Sequence, residues 1–500
     1  MSVSPKPEPH PASVAPIFPI AMAAAWILQA FLGSGDPLPH LWRPLIVTTL
    51  AAAAVTGIVW VAGRHRPLPM LVAGLFVLLV LKAWPLLGAV LAIVIWRGAL
   101  SVMRRLSRRP PLAVPMVVHV FNLANVFGLI LLVVLVGSFV FSGIVAFPRQ
   151  TAAKGTAIAT APNMYFVLLD GYPRQDSLDA LGIDNAPFIS DLQDRGFFVA
   201  PRSHTNYHNT LLTLTSMFNG EYLTDVPDLA NPAGDQAAVV RQLNDALNDA
   251  SLFDDLRTRG YTIIDSPSVF GAASLFRADV VMSGDGINQF DQRILSRTFV
   301  GDLLSLGAPD LVDGWLRDAV LTPIRNVEAV AGQDSTSRHF MFAHVLSPHP
   351  PFLFDEAGRL PDVEACYAAG CSLWTSELKV LGISTSEYRH LLAAQMQYLN
   401  AQVLAMVDEI AAADPTAVVV VFGDHGIRFD AGVSTEYFRN FFSARTPGHS
   451  DLFPDDISPV NVLVTIENAY LGTTFPIRDY QAWESKGLLL NLSRWLPDPT

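Results

Sequence analysis

A chain of 500 residues, 51 % of them apolar, has the length of roughly two to four domains. Its formal charge of −12, with no strongly basic stretch outside an apolar N-terminal third, excludes an electrostatic nucleic-acid binder. Two cysteines, Cys366 and Cys371, are too few for a structural zinc site; in an extracytoplasmic setting a local disulfide is their expected fate.

Residues 1–14 (MSVSPKPEPHPASV) are polar and Pro-rich and read as a disordered cytoplasmic tail. From Ala15 to about Gly33 the chain is apolar and uncharged, long enough for one span. More apolar segments follow it, which argues against a cleaved signal peptide. Arg43 to Gly63 is a second span, and Leu68 to Trp96 is a longer run interrupted by Lys82, Trp84 and Pro85. Met116 to Phe147 is the last.

Charge sets the expected topology. Arg64, His65 and Arg66 form one basic cluster, and Arg97, Arg104, Arg105, Arg108 and Arg109 form a second. The positive-inside rule puts both in the cytoplasm, so the run between them must cross and return, as two short tilted helices hinged at Lys82–Pro85 or as a re-entrant hairpin. Residues 15–147 are thus expected to hold about five helices, against four if one cluster faced outward. The N-terminus lies inside, and all that follows Phe147 lies outside. Residues 148–162 are a small-residue linker.

Beyond Asn163 strands and helices alternate. Met164–Leu169 (MYFVLL) is a buried strand ending at Asp170-Gly171, and 187–195 read as a helix closed by Gly196 before the strand Phe197–Ala200. Ser251–Arg259, Gly260 and Tyr261–Asp265 repeat the helix–Gly–strand unit. Phe340–Leu346 is a strand leading into Ser347-Pro348-His349-Pro350-Pro351. Thr385–Ala413 is a long helix with Tyr398, Val403, Met406 and Ile410 on its apolar side. This is βαβ logic, predicting an α/β domain over 163–500 with a mostly parallel sheet covered on both faces.

The chemistry centres on Val418–Phe422, apolar throughout and mostly β-branched, followed by Gly423-Asp424-His425-Gly426. The run reads as a central strand, and the C-terminal edge of a parallel sheet is where ligands bind. A carboxylate and an imidazole there suit a Zn²⁺-like or Mn²⁺-like ion. The flanking glycines are expected to permit a sharp turn and leave room for substrate. The plainer reading is an Asx-type turn. Asp170, at another strand end, offers a further ligand from the same edge.

The polar loop Ser203–Thr210 runs into a helix ending at Asn219-Gly220. Thr210 at its start has two readings. It caps the helix, or its hydroxyl, bound to a cation, is a nucleophile beside N–H groups that hold an anion.

Taken together, Leu168-Leu169-Asp170-Gly171, Asn209-Thr210 with Asn219-Gly220, Ser347-Pro348-His349-Pro350 and Phe422-Gly423-Asp424-His425-Gly426 resemble the sulfatase-like branch of the alkaline phosphatase superfamily. With the apolar N-terminal segments the chain looks most like that branch's membrane-anchored transferases, the lipoteichoic acid synthases and lipid A phosphoethanolamine transferases. The resemblance spans roughly 163–470. It implies a three-layer α/β/α domain behind a bundle of transmembrane helices and a divalent metal ion (Zn, Mn or Mg) on Asp170, Thr210, Asp424 and His425. It implies too that Thr210 is the nucleophile and that His349 contacts the substrate phosphate or leaving group.

His344, inside a strand, is expected in the core; His208 and Asn209, beside Thr210, either touch the substrate or are polar loop residues; and the two-metal members of the family need further ligands, for which His449 is a candidate. True sulfatases carry Cys or Ser in C/S-x-P-x-R, converted to formylglycine. Thr210-Leu211-Leu212-Thr213-Leu214 has no Cys, Pro or Arg, so that chemistry is excluded here.

The expectation is therefore a multi-pass protein of the inner (plasma) membrane with a periplasmic catalytic domain. It would act as a metal-dependent hydrolase or transferase on phosphate (or sulfate) esters of a lipid or envelope glycan. The alternative is a non-catalytic membrane scaffold with a degenerate hydrolase domain. A transporter is disfavoured because only Lys82 and His119 are ionisable near the middle or ends of the spans. Arg428, Arg439 and Arg445 either hold anionic substrate or are surface charges.

Overall fold

The computed structural model describes residues 17–34, 36, 38–63, 66–107, 116–141, 161–229, 231, 234–282, 288–333, 338–361, 383–427, 434–486 and 489–495. The expected N-terminal tail, the linker up to residue 160, Arg64, His65, Arg108, Arg109, Cys366, Cys371 and Arg428 lie outside them. The chain divides into two compact units. One comprises Met1–Gly33, Leu41–Val145 and Ile294–Leu303; the other comprises Ser34–His40, Ala146–Arg293 and Leu304–Thr500.

In the first unit the described helices before residue 142 are α1 (Phe18–Leu32), α2 (Pro39–Ala62), α3 (Pro67–Val80), α4 (Trp84–Leu106) and α5 (Met116–Phe141). Pro39–Ala62, Trp84–Leu106 and Val117–Ser138 are long and apolar enough to cross a membrane. With 15 and 14 residues, α1 and α3 are shorter. At about 1.5 Å per residue each falls short of a hydrocarbon core of about 30 Å. The break between α3 and α4 is the turn Leu81–Ala83, with Lys82 at φ 51°. Arg97 lies well inside α4 and is buried, so α4 runs on through part of the second basic cluster. Phe18 and Met22 of α1 pack with Phe121 and Ala124 of α5. Asn125 Oδ1 accepts the N–H groups of Ile17 and Phe18, closing the start of α1 from the neighbouring helix.

The second unit is built on a seven-stranded sheet. Its strands are β1 (Met164–Leu169), β2 (Phe198–Val199), β3 (Thr262–Ser266), β4 (Val280–Val281), β5 (His339–Val345), β6 (Val418–Phe422) and β7 (Phe442–Arg445), in the spatial order β2-β7-β6-β1-β5-β3-β4. β4, β3, β5, β1 and β6 run parallel. β7 is antiparallel to both β6 and β2, which makes the sheet mostly parallel. Every residue of β1, β5 and β6 is buried, so both faces of the sheet centre are covered, which is what continuous apolar strands require. The helices of this α/β unit are α6 (Gln175–Ala180), α7 (Ala186–Asp194), α8 (Thr210–Asn219), α9 (Gln236–Asn248), α10 (Ser251–Thr258), α13 (Pro309–Ala331), α14 (Thr385–Ala413) and α15 (Pro459–Leu471). Between β4 and β5, α11 (Gln289–Ser296) and α12 (Phe299–Gly307) precede α13.

On α14, Val403, Met406 and Ile410 are fully buried, while Tyr398 is half-buried and stacks on Phe354 at 5.0 Å. A hairpin of β8 (Ala482–Ser485) and β9 (Leu492–Trp495) adds a second small sheet. Centrally placed β1 sits between β5 and β6, so the three loops leaving these strands open side by side. Those loops carry Asp170, His349 and Asp424-His425.

Candidate active site

The site begins with register. Leu168 of β1 lies opposite His344 of β5 and Phe422 of β6, so three adjacent strands end together. Asp170 follows β1, and its carbonyl accepts the N–H of His349, which ties the β5 loop down. Asp424 follows β6, and its Oδ1 accepts the N–H of Gly171 at 2.9 Å. Backbone hydrogen bonds thus assemble the cluster before any ion is considered.

Ligand atoms of Asp170, His349 and His425 lie within 4.8 Å of one another, and all three residues are buried. His425 Nε2 stands 3.5 Å from Asp170 Oδ1 and 3.5 Å from Asp424 Oδ2. These three atoms are buried and have no hydrogen-bond partner among the described residues. Buried polar atoms left unpaired are costly, and three facing each other call for a cation between them. A tetrahedral ion with bonds of about 2.1 Å holds its ligand atoms about 3.4 Å apart, which matches the spacing found. The donor set, carboxylate oxygens with imidazole nitrogens, fits such an ion.

Each histidine has its proton placed. His425 Nδ1 is 2.8 Å from the Gly426 carbonyl and His349 Nδ1 is 2.6 Å from the Pro350 carbonyl. Both therefore carry the proton on Nδ1 and leave Nε2 as the basic nitrogen, as ligating histidines do. Burial pushes the Asp170 carboxyl up. The hydrogen bond from His344 is the largest influence against it, and the group is held well below the usual carboxylate range.

His344 does sit in the core, as expected, and it also has a task there that its place in the strand concealed. Its Nε2 donates to Asp170 Oδ2 at 2.9 Å, and its Nδ1 accepts from Ser268 Oγ, which in turn accepts the Phe270 N–H. This chain fixes the Asp170 carboxylate from behind. A lone imidazole in the otherwise apolar FMFAHVL was the available signal.

Thr210 is buried at the first position of α8, but it is not the cap. Asn209 caps the helix, its Oδ1 accepting from Leu211 at 3.1 Å and Leu212 at 3.5 Å. The Thr210 hydroxyl has no hydrogen-bond partner among the described residues. The N–H groups of Leu211 and Leu212 are taken by Asn209, so two of the first-turn donors expected to hold an anion are engaged by the cap.

One turn on, Thr213 Oγ1 donates to the Asp424 carbonyl at 3.2 Å and the Tyr207 carbonyl at 3.0 Å, pinning the first turn of α8 to the metal-type loop. Residues three apart share a helix face, so Thr210 begins the face that Thr213 fastens there.

The glycines of Gly423-Asp424-His425-Gly426 have another purpose than the one expected. Neither has positive φ. A Cβ on Gly423 would come 2.2 Å from the Tyr172 carbonyl oxygen, and one on Gly426 would come 2.0 Å from that of Glu436. They let neighbouring backbone pack against the loop, rather than making room for substrate. Gly171 is different. It has φ +68°, and its missing Cβ would lie 3.3 Å from His425 Cε1 and 3.6 Å from His349 Cδ2.

His208 accepts from the Ser485 N–H at 3.4 Å and so meets the C-terminal hairpin. His449 is exposed and packs edge-on to Tyr470, outside the cluster. Arg439 pairs with Glu436 and Arg445 donates to the Pro415 carbonyl, so both have structural employment.

The model of the Sulfatase family matches residues 162–451. No curated protein matches the chain. Similar solved structures include the zinc complex of the C-terminal periplasmic domain of EcEptC from Escherichia coli, 15 % identical with a TM-score of 0.44, covering 67 % of this chain and 94 % of that one. The integral membrane protein lipooligosaccharide phosphoethanolamine transferase A from Neisseria meningitidis is 12 % identical with a TM-score of 0.39, covering 90 % and 83 %. The phosphonate monoester hydrolase of Silicibacter pomeroyi is 14 % identical with a TM-score of 0.39, covering 63 % and 74 %.

Proposed function

The chain belongs to the sulfatase family, matched over residues 162–451, and within that family we propose a membrane-anchored, metal-dependent phosphoryl transferase or hydrolase with Thr210 as nucleophile. The observation that carries this reading is the set of unpaired buried atoms on Asp170, Asp424 and His425, with His349 closing the cluster and a hydroxyl relieved of capping at the start of α8. Asp170, Asp424, His425 and His349 would hold the ion, with Thr210 beside it. His349 joins the ligands in this assignment, because a basic Nε2 cannot donate to a phosphate or a leaving oxygen. A divalent ion there lowers the pKa of a neighbouring hydroxyl and neutralises charge on a phosphoryl group.

Thr210 Oγ attacks phosphorus in line. A P–Oγ bond forms, the ester P–O bond breaks, the threonine proton goes to solvent, and the leaving oxygen takes one from solvent. Water or an acceptor alcohol then displaces Thr210 and completes the turnover. Asn209 and Thr213 keep the nucleophile in place through the first turn of α8, and His344 keeps Asp170 oriented.

The apolar N-terminal helices favour a substrate carried by the membrane, a phospholipid or a lipid-linked envelope glycan, because tethering raises its effective concentration. A multi-pass place in the inner membrane, with the sheet unit outside the cytoplasm, follows from the basic clusters. The test is turnover of phosphate mono- and diesters and sulfate esters by the full chain. Activity should vanish with chelator, return with Zn²⁺ or Mn²⁺, and be lost in Thr210→Ala. A Thr210→Ala protein with normal turnover would remove the nucleophile from the account.

A further inference from the structure

α12 is a nine-residue helix, much too short to cross a bilayer. Yet its Phe299, Val300, Leu303 and Leu306 are 38 %, 47 %, 69 % and 85 % exposed. Four large apolar side chains exposed on one short helix form a patch that water does not favour.

Its first half belongs to the helical unit, since Ile294–Leu303 clusters with α1–α5 although it is inserted between β4 and β5 in the chain. Within that unit Asp302 Oδ2 lies 2.6 Å from Lys82 Nζ. Phe299 meets Trp84 edge-on at 6.5 Å, and Lys82 Nζ stands 5.2 Å from the Phe299 ring centroid. Lys82 is in the turn between α3 and α4, and Trp84 opens α4, a helix long and apolar enough to span. Trp and Lys at the end of a span mark the boundary between hydrocarbon and water. The start of α12, Phe299–Leu303, is therefore held at that boundary.

We propose that the start of α12 lies on the bilayer surface, with Phe299, Val300 and Leu303 set among the headgroups and upper acyl chains. Asp302 is its only charged residue and is neutralised by Lys82, so apolar burial and not attraction to anionic lipid drives the contact. This contact does not depend on what Thr210 does.

The test uses the full chain in phospholipid vesicles, with Cys366 and Cys371 replaced by Ser and a fluorophore on Leu303→Cys. A second variant, Gln193→Cys, labels exposed α7 as the control. Lipids with the nitroxide high on the acyl chain should quench the Leu303→Cys label at least about twofold more than lipids with it at the chain end, the depth expected for an interfacial helix. Iodide should quench the Gln193→Cys label but not the Leu303→Cys one. Exchanging anionic for neutral lipid should change neither result. Iodide access equal to the control would overturn the proposal. Shielding from iodide without quenching by either lipid would also overturn it, since a protein partner would then cover the face. Stronger quenching from the chain end would place the helix inside the bilayer and overturn it as well.

Discussion

Replacing Gly171 with Ala separates the cost of folding from the geometry of the site. Gly171 has φ +68°, where an alanine costs about 1–2 kcal/mol more than glycine. In a unit of this size that lowers the thermal midpoint by about 1–3 °C. The added methyl would also stand 3.3 Å from His425 Cε1. Packed carbons prefer about 3.5–4.0 Å, so the imidazole must shift by about 0.2 Å or more. Metal–ligand distances tolerate about that much and no more, so affinity should fall about tenfold or further. Chelator competition for Zn²⁺ by full-length Gly171→Ala, read beside its unfolding without metal, measures both. Metal affinity equal to wild type with only the midpoint lowered would refute a cation between Asp170, His349 and His425. Gly423→Ala and Gly426→Ala are harsher controls, because their methyls would meet carbonyl oxygens at 2.2 Å and 2.0 Å and should prevent folding of this loop altogether.

Asn209→Ala removes the cap that frees Thr210. It should cost about 1 kcal/mol in chemical denaturation and lower kcat more than KM, because the first turn of α8 loses its anchor. His344→Leu should weaken metal binding about 10–100-fold in the same chelator competition, although the imidazole is no ligand; Ser268→Ala should do so to a smaller extent. Burial, aided by Asp255, pushes Glu467 up to about 9, and burial pushes Asp265 up to about 8. Folded carboxyls that keep a proton which the unfolded chain releases near about pH 4 contribute stability that is complete below that pH. It is lost as pH rises through about 8 to 9. Unfolding free energy should therefore fall between pH 6 and pH 9, by up to about 1.4 kcal/mol per pH unit for each group, and thermal midpoints should fall with it. Glu467→Gln should flatten that fall; an unchanged slope would contradict a protonated Glu467.

The core of the site was legible because its strands are extreme. Five apolar residues at 418–422 and six at 164–169 can only be central, and central strands deliver their ends to one edge. The placing of Asp170, Asp424 and His425 at one edge was readable on that ground alone, whereas His349 was singled out only by the family resemblance, and as a substrate contact rather than a member of the cluster. The rest lay in contacts that sequence spacing does not encode. His344 looked like packing until register placed it beside Asp170, 174 positions away. Asn209 and Thr210 are both good capping types, and only the hydrogen bonds show which one caps. The glycines around Asp424-His425 suggested a turn, whereas their reason is the close approach of Tyr172 and Glu436. α12 escaped notice because its apolar residues are few and follow a polar stretch, and its partner, Lys82, is 220 residues away.

The central claim is that Thr210 carries the phosphoryl group beside the cluster of Asp170, His349, Asp424 and His425. The most direct measurement is mass spectrometry of the full-length protein, quenched in acid during turnover of a phosphate ester with Zn²⁺ present. A phosphoryl adduct on Thr210, absent with chelator and absent in Asp424→Asn, is the predicted result. Steady turnover with the adduct on another residue, or with none at all, would contradict it.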